Sequence, residues 1–308
     1  MHYPPPAIVN VCVVRGLCPA KCVHCPVGLS APEERTQKFG QGFANIETFP
    51  RLCEEIIALG TPSPVVRIHG VGEPALWHDL GDSLRICANK GLKTWLFTVG
   101  IGNSTAEFIN AAQNASIVEF SINAFTRDEF RRTKGMDAYL FDQIVENIRQ
   151  LANVKQKRGM PRRILVSRVE SHDKVMDREF VTYWSKSGLV DDSFIRTFHD
   201  YGARIPDKFA LLSDKPETRG CLVPNARMNI DAVLGVVVRC FNELFDNPVQ
   251  VRESALASLF GQASLRDIWG GSEMMRWRAN PFAYPQCANC RSCQPPNPNT
   301  SERQLEGL

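Results

Sequence analysis

Three cysteines near the start of the chain are spaced to share one metal-containing group. They are Cys18, Cys22 and Cys25, arranged as Cys-x3-Cys-x2-Cys after a short apolar run, Ile8–Val14. Three thiolates on one tight loop can hold three corners of a cubane iron–sulfur cluster, whose fourth iron is then open to another ligand. A zinc loop is the alternative, although zinc-binding cysteines are mostly paired as Cys-x2-Cys.

The Cys-x3-Cys-x2-Cys motif behind a first strand resembles the signature of the radical S-adenosylmethionine (SAM) superfamily. The resemblance implies that the open iron binds the amino and carboxylate groups of SAM. It also implies reductive cleavage of SAM to methionine and a 5′-deoxyadenosyl radical, which takes a hydrogen atom from a substrate. An electron donor such as flavodoxin or ferredoxin is then expected as a partner.

A second group of cysteines lies in the last third of the chain. Cys221 and Cys240 lie on either side of Gly235, and a hairpin that turns at this glycine would bring the two thiols together. The later members of the group are Cys287, Cys290 and Cys293. Together these cysteines suffice for one four-thiolate iron–sulfur site, with a structural zinc ribbon as the alternative.

This second pattern resembles the SPASM or twitch auxiliary domain that follows some radical SAM barrels. Cys221, Gly235 and Cys240 match its opening Cys-x9–15-Gly-x4-Cys pattern, and the tail cysteines match its closing Cys-x2-Cys. The resemblance implies one auxiliary [4Fe–4S] cluster. Its fourth ligand is either Cys290 or Cys293, and the other thiol stays free.

Further contacts to SAM are implied by the same resemblance. Gly72-Glu73-Pro74 resembles the family's Gly-Gly-Glu-Pro motif, whose backbone and carboxylate receive the SAM ammonium. His24 is expected to pack near the adenine. The expected contacts to the SAM ribose or carboxylate are Ser121, Asn123 and Arg168. For Arg168 a structural salt bridge is an equal alternative.

The elements that must position these residues alternate along the first two thirds of the chain. Strand-like and helix-like segments follow one another six times, which predicts an α/β fold with a parallel sheet. The predicted strands are Ile8–Val14, Val65–His69, Thr94–Val99, Ile117–Ile122, Ile164–Val169 and Ser193–Phe198. The predicted helices are Ile46–Leu59, Leu80–Asn89, Thr105–Ala112, Leu140–Asn153 and Met176–Lys186. The radical SAM resemblance implies a (βα)6 partial TIM-like barrel with its site at the C-terminal strand ends.

The pattern changes after about Tyr201, which predicts two units and a tail. Residues 1–205 are expected to form the barrel core, 206–293 the auxiliary-cluster domain and 294–308 a flexible tail. The auxiliary domain is expected to be small. It is predicted to contain a β-hairpin, Ala226–Asp231 with Val236–Phe241, and a helix, Leu265–Arg276.

Composition narrows the classes of partner and compartment. The net charge of +3 gives no reason to expect a nucleic acid. No apolar run reaches the roughly 18 residues of a membrane span, so no membrane partner is expected. The chain has 11 cysteines and lacks an apolar N-terminal secretion segment, which favours metal or redox chemistry in the cytoplasm.

The reaction that follows hydrogen abstraction is open at this level. The twitch-type pattern resembles aminocyclitol dehydrogenases and aminoglycoside epimerases, which implies oxidation or epimerisation of a small polar amino sugar or cyclitol at a carbinol carbon. Epimerisation needs a thiol that returns a hydrogen atom, and Cys12 and Cys293 are the candidates. Modification of a ribosomally made peptide is an alternative, disfavoured by the short segment before Cys18. Two non-catalytic functions also stay open, a two-cluster redox carrier and a zinc-bound interaction module.

Overall fold

A single sheet organises the part of the chain that the computed structural model describes, residues 4–60, 62–208, 221, 223–284, 287 and 290. Its strands are β1 (Ile8–Arg15), β2 (Gly42–Phe43), β3 (Val65–Val71), β4 (Thr94–Thr98), β5 (Ile117–Phe120), β6 (Arg163–Val169), β7 (Asp192–Arg196), β8 (Arg227–Asp231), β9 (Val236–Val238) and β10 (Ala257–Ser258). Their order is β10-β9-β8-β1-β3-β4-β5-β6-β7, with β2 paired to β1. The six strands from β1 to β7 along this path are mutually parallel and form a partial TIM-like barrel, as predicted.

Four of the predicted strands end earlier than the sequence pattern indicates, namely β4 at Thr98, β5 at Phe120, β7 at Arg196 and β9 at Val238. β5 stops at Phe120, because Asn123 has a left-handed backbone conformation with φ 59° that turns the chain away. β7 stops at Arg196, since the backbone N–H of Phe198 donates to the carboxylate of Glu170 at 2.9 Å. Strand β5 thus ends at a change of backbone conformation and β7 at a contact with a distant loop residue, while the apolar pattern continues in both.

Helices cover the strands and alternate with them. They are α1 (Pro26–Leu29), α2 (Pro32–Phe39), α3 (Phe49–Ile57), α4 (Leu80–Asn89), α5 (Thr105–Ala112), α6 (Arg127–Lys134), α7 (Tyr139–Arg158), α8 (Lys174–Lys186), α9 (Val223–Ala226), α10 (Pro248–Ser254), α11 (Leu265–Gly270) and α12 (Ser272–Ala279). The predicted helix Ile46–Leu59 is a short 3-10 turn, Ile46–Thr48, followed by α3. Helix α6 was not predicted, because its residues are almost all polar and carry no clear apolar stripe.

The C-terminal segment continues the sheet. The predicted hairpin is confirmed, since β8 and β9 pair antiparallel around the turn at Gly235, whose φ is 68°. β8 also pairs parallel with β1, and Asn229 lies beside Asn10 in that register. The predicted helix Leu265–Arg276 is two helices, α11 and α12, because the backbone is extended at Gly271.

An apolar layer closes one end of the barrel. It consists of buried side chains near the strand starts, namely Ile8, Val65, Trp95, Ile117 and Leu165. The site is therefore left at the C-terminal strand ends, where sites in such barrels form. Among the described helices, none combines the length and apolar character needed to cross a membrane.

Candidate active site

The loop that carries the first three cysteines is held by buried hydrogen bonds. Arg35 on α2 donates to the backbone carbonyl of Cys18 at 2.7 Å and to that of Ala20 at 3.3 Å. Gly28 allows α1 to pack on the loop, because a Cβ at this position would lie 2.4 Å from the backbone of Cys22. Arg35, which the sequence reasoning missed, is thus a positioning residue for the thiols.

The C-terminus of α6 holds the same loop from the other side. The backbone N–H of Lys21 donates to the carbonyl of Lys134 at 2.7 Å, and that of Val23 donates to Thr133 at 3.2 Å. The side chain of Lys134 is 1% exposed and lines the cavity beside Cys25. A buried ammonium in such a place is favoured by a negatively charged neighbour or ligand. Lys134 is a second residue that sequence reasoning missed.

The Gly72-Glu73-Pro74 turn follows β3 and packs against the cysteine loop. The backbone N–H of Glu73 donates to the carbonyl of Leu17 at 2.8 Å, and a Cβ at Gly72 would lie 2.4 Å from that same oxygen. The Glu73 carboxylate is buried and accepts from the hydroxyl of Thr98, from Val99 N at 2.8 Å and from Ala75 N at 2.9 Å. Most of its acceptor capacity is therefore used inside the protein.

Burial raises the pKa of Glu73, and these three hydrogen bonds oppose that rise. The carboxylate of Glu73 holds the turn against the end of β4 through its hydrogen bond from Val99. Gly72 and Pro74, on either side of it, line the cavity. This turn could thus present backbone groups to a ligand while its carboxylate fixes their position.

The remaining residues expected around SAM fall into two groups. His24 and Ser121 line the cavity, and burial lowers the pKa of His24 to about 3, so that this ring is neutral. Asn123 and Arg168 lie behind them. The amide nitrogen of Asn123 lies 3.2 Å from Nε2 of His24, and Arg168 donates to the backbone carbonyl of Asn123 at 3.3 Å.

Arg168 is held in a buried ion-pair network. Its guanidinium contacts the carboxylate of Glu129 and that of Asp177, the latter at 2.8 Å. This geometry matches the structural salt bridge weighed for Arg168 from the sequence. Arg168 contacts Asn123, and Asn123 contacts His24, which lines the cavity.

The second group of cysteines faces the same cavity as the first. Cys221, Cys240, Cys287 and Cys290 all line it. Trp277 donates its indole N–H toward the sulfur of Cys287 at 3.5 Å, and the amide of Asn242 lies 3.9 Å from the sulfur of Cys290. The cavity, of about 470 Å³, is in the range of small-molecule sites and is lined by cysteines of both groups.

The two candidate hydrogen-donor thiols are Cys12 and Cys293. Cys12 is fully buried among Val27, Val71 and other apolar side chains, and burial raises its pKa to about 12. It does not belong to the residues that line the described cavity. Cys293 lies outside the described residues.

The donor set fits iron–sulfur chemistry. Burial raises the pKa of Cys25 to about 11, and the neighbouring thiol of Cys22 adds to the rise. Burial likewise raises the pKa of Cys18 and of Cys240. Buried thiols that repel each other's thiolate forms are stabilised as thiolates by bound iron.

The described residues contain no group of three or more His, Cys, Asp or Glu side chains that could hold a metal ion. A cubane cluster distributes its thiolates over several irons, so its ligands need not converge on one point. The residues that would hold one cluster are Cys18, Cys22 and Cys25.

Charged side chains from three barrel strands meet in a group that the sequence reasoning also missed. The carboxylate of Glu119 on β5 is fully buried and accepts two hydrogen bonds from Arg196, one of them at 2.7 Å. Arg67 on β3 approaches the same carboxylate at 3.8 Å. Burial alone would raise the pKa of Glu119, but the two guanidinium groups and Ser167 hold it below its usual value. A charged residue inside an otherwise apolar strand was the signal available in the sequence.

The sequence matches no known protein-family profile, and a search of curated proteins finds no match. Solved structures do match. BtrN in complex with AdoMet and 2-DOIA is 13% identical and superposes with a TM-score of 0.53 over 92% of this chain and 92% of that chain. SuiB from Streptococcus suis, bound to the precursor peptide SuiA, is 14% identical, with a TM-score of 0.65 over 93% of this chain and 70% of that chain.

A third structure, anSMEcpe with bound AdoMet, is 11% identical, with a TM-score of 0.63 over 89% of this chain and 83% of that chain. All three are radical SAM enzymes. At these identities the similarity concerns the fold. The parallel partial barrel, with three cysteines in the loop after its first strand, is the radical SAM fold.

Proposed function

We propose that this protein is a radical SAM enzyme that oxidises or epimerises a small polar substrate, with an auxiliary [4Fe–4S] cluster beside the reaction chamber. The observation that carries the proposal is the placement of both cysteine groups on one cavity. A substrate in that cavity would lie between Cys18, Cys22 and Cys25 on one side and the second group on the other. When bound, a reduced cluster and SAM supply a radical that removes a hydrogen atom from the substrate.

The chain's own residues would position SAM. The backbone at Gly72 and Pro74 lines the cavity and would accept the SAM ammonium, while Glu73 keeps the turn in place. The buried ammonium of Lys134 would receive the SAM carboxylate, since opposite charges in a low-dielectric cavity attract strongly. His24 would pack near the adenine, oriented by Asn123.

The second cysteine group would hold the auxiliary cluster. Its described members, Cys221, Cys240, Cys287 and Cys290, provide four thiols, which is the number a fully ligated cluster needs. Such a cluster would accept the electron that a substrate radical loses on oxidation. Residues 206–293 would then be the auxiliary domain of a cytoplasmic enzyme supplied with electrons by a flavodoxin or ferredoxin.

Oxidation is the form of the reaction that the described residues favour. Epimerisation requires a thiol in the cavity; of the two candidates, Cys12 lies in the apolar core and Cys293 lies outside the described residues. We therefore propose a dehydrogenase acting on a carbinol carbon. BtrN, whose structure contains 2-DOIA, covers almost the same length as this chain and supports a small substrate, which the sequence resemblance predicts to be an amino sugar or cyclitol.

Peptide modification is the second candidate. The structures of SuiB bound to its precursor peptide and of anSMEcpe bound to the Cp18Cys peptide superpose with TM-scores of 0.65 and 0.59, against 0.53 for BtrN. A peptide substrate would need access along an extended groove. A turnover screen should therefore contain peptides as well as amino sugars and cyclitols.

The test is the iron and sulfide content after anaerobic reconstitution, with SAM cleavage measured under reducing conditions. We expect about eight irons in the wild type and about four in the Cys18→Ala/Cys22→Ala/Cys25→Ala variant, which should cleave no SAM. A wild type that holds about four irons, with none in the variant, would refute the auxiliary cluster. Zinc in place of iron would refute the enzyme.

A further inference from the structure

One wall of the barrel carries charged and buried polar side chains that line the cavity and that the proposed reaction does not use. Arg67 and Arg196 both line the cavity, and both approach the carboxylate of Glu119 behind them. Their guanidinium groups also share the ring of Phe97, at 4.7 Å and 5.4 Å from its centroid. Two cationic groups are therefore held side by side on β3 and β7, facing the chamber.

Two neutral side chains on the same wall carry polar atoms that have no hydrogen-bond partner among the described residues. His69 is 3% exposed and lines the cavity, and neither of its ring nitrogens has a partner within the described residues. Burial and the neighbouring Arg67 lower the pKa of His69 to about 3, so the ring is neutral and offers one donor and one acceptor. Buried polar groups are rarely left unsatisfied in proteins, so these nitrogens indicate a ligand.

Asn10 on β1 adds an acceptor beside them. Its amide nitrogen donates to Oδ1 of Asn229 at 2.9 Å, which fixes the orientation of the amide. Asn10 lines the cavity, and its Oδ1 is buried without a partner among the residues described. The register places Asn10 directly beside Arg67, so the acceptor and the guanidinium lie on the same face of adjacent strands.

The described lining of the cavity carries more basic than acidic side chains. Its described basic lining residues are Arg67, Lys134, Arg196 and Arg227. Glu73 is the acidic residue among the described lining, and its carboxylate is already bonded to the backbone. Lys134 lies beside the first thiols, so it is assigned to SAM and the first cluster. The cations left on the barrel wall are those of β3, β7 and β8.

We propose that Arg67 and Arg196 bind an anionic group of the substrate, a carboxylate or a phosphate, while His69 and Asn10 hydrogen-bond its neighbouring hydroxyl or amide groups. This inference rests on the proposed function and specifies its substrate class. Guanidinium groups bind both anions through paired hydrogen bonds. An amino sugar whose ammonium faces this wall is disfavoured, because like charges repel in a chamber of low dielectric.

The experiment compares matched ligands on the anaerobically reconstituted full chain with SAM present. The probes are glucuronate, glucose 1-phosphate, glucose and glucosamine, and their dissociation constants are measured by ligand-observed NMR titration. We expect one of the two anions to bind at least about tenfold more tightly than glucose, and glucosamine to bind most weakly. The two anionic probes distinguish a carboxylate from a phosphate.

Arg67→Gln is the test variant, because Arg196 continues to pair with Glu119 and no buried charge is left alone. Its preference for the anion should fall about tenfold or more. Arg85→Gln, an exposed arginine on α4, is the matched control and should keep the preference. The double variant Glu119→Gln/Arg196→Gln removes the ion pair as a neutral unit and gives a second measurement if the single variant does not fold.

The inference is overturned if no anion binds more tightly than its neutral counterpart, or if Arg67→Gln retains the full preference while its iron content and unfolding temperature match the wild type. These binding constants do not depend on SAM cleavage. A protein that prefers anions but does not cleave SAM would contradict the proposed reaction and support the anion site. A protein that cleaves SAM but shows no preference for anions would contradict the anion site and support the proposed reaction.

Discussion

At the scale of single residues, the site depends on buried polar groups whose partners lie in other elements. Glu73 is satisfied by donors from its own turn and from β4, so it acts as a fixed anchor. Lys134 is different, because its ammonium is buried at the cavity and its backbone carbonyl holds the cysteine loop. The carboxylate of Glu73 thus has its hydrogen bonds within the protein, whereas the ammonium of Lys134 is placed to bind a ligand.

Replacement of Lys134 tests this difference. Lys134→Met should weaken SAM binding by about tenfold or more, since a charge-assisted hydrogen bond contributes about 1.5–3 kcal/mol. The measurement is the SAM dissociation constant of the reconstituted protein, with iron content as the readout of an intact cluster loop. Lys134→Arg should restore most of the affinity, and Arg132→Met, on the exposed side of the same helix, should not change it. Equal affinity in Lys134→Met and wild type would remove Lys134 from the SAM site.

At the scale of elements, the cysteine loop is shaped by close backbone approaches. The loop after β1 and the turn after β3 touch through the N–H of Glu73 and the carbonyl of Leu17. Gly70 and Gly72 permit this contact, because a Cβ at Gly70 would lie 2.2 Å from a methyl carbon of Val14 and one at Gly72 would lie 2.4 Å from Leu17 O. The strand ends thus set the distance between the first thiols and the Gly72-Glu73-Pro74 turn.

Gly72→Ala should therefore disrupt the site, since backbone atoms must move apart to admit the methyl group. We expect loss of most SAM cleavage and a lower unfolding temperature, measured together on the reconstituted protein. Gly270→Ala is the matched control, because no heavy atom lies within 4 Å of a Cβ built there. It should be neutral. A Gly72→Ala enzyme with normal cleavage would show that the turn tolerates displacement and does not define the SAM site.

At the scale of the whole molecule, the sheet continues from the barrel into the C-terminal segment. The buried pair of Arg15 on β1 and Asp231 on β8 links the two, and Arg15 also donates to the backbone carbonyls of Phe39 and Asp246. This continuity brings Cys240, just after β9, to the cavity that the first cysteines line. The two thiol groups therefore line one chamber, as the proposed electron transfer to an auxiliary cluster would require.

The Cys240→Ala variant distinguishes SAM cleavage, which we assign to the first thiols, from substrate oxidation, for which we propose that the second group is needed. The variant should still cleave SAM, because its first thiols are unchanged, but it should not oxidise substrate and should hold about four irons fewer. SAM cleavage, iron content and product formation are the three measurements. Substrate oxidation at the wild-type rate by Cys240→Ala would refute an electron-accepting role for the second group.

The amino-acid sequence by itself determined the features that depend on short spacing. The cysteine spacings, the individual strand segments, the hairpin at Gly235 and the Gly72-Glu73-Pro74 turn all depend on residues near one another in the chain, where periodicity and turn chemistry act. Strand ends were less predictable, because β7 stops where Phe198 contacts Glu170, which lies 28 residues earlier in the chain, in the loop after β6.

Only the tertiary structure decided which distant side chains meet. Arg67, Glu119 and Arg196 come from three strands, and their meeting depends on strand order and register. Lys134 reaches the cavity from a polar helix that periodicity did not reveal, and Cys12 packs in an apolar cluster outside the described cavity lining. A one-residue change in register would reverse the face of each strand side chain, so the charge of the chamber is a property of the assembled sheet.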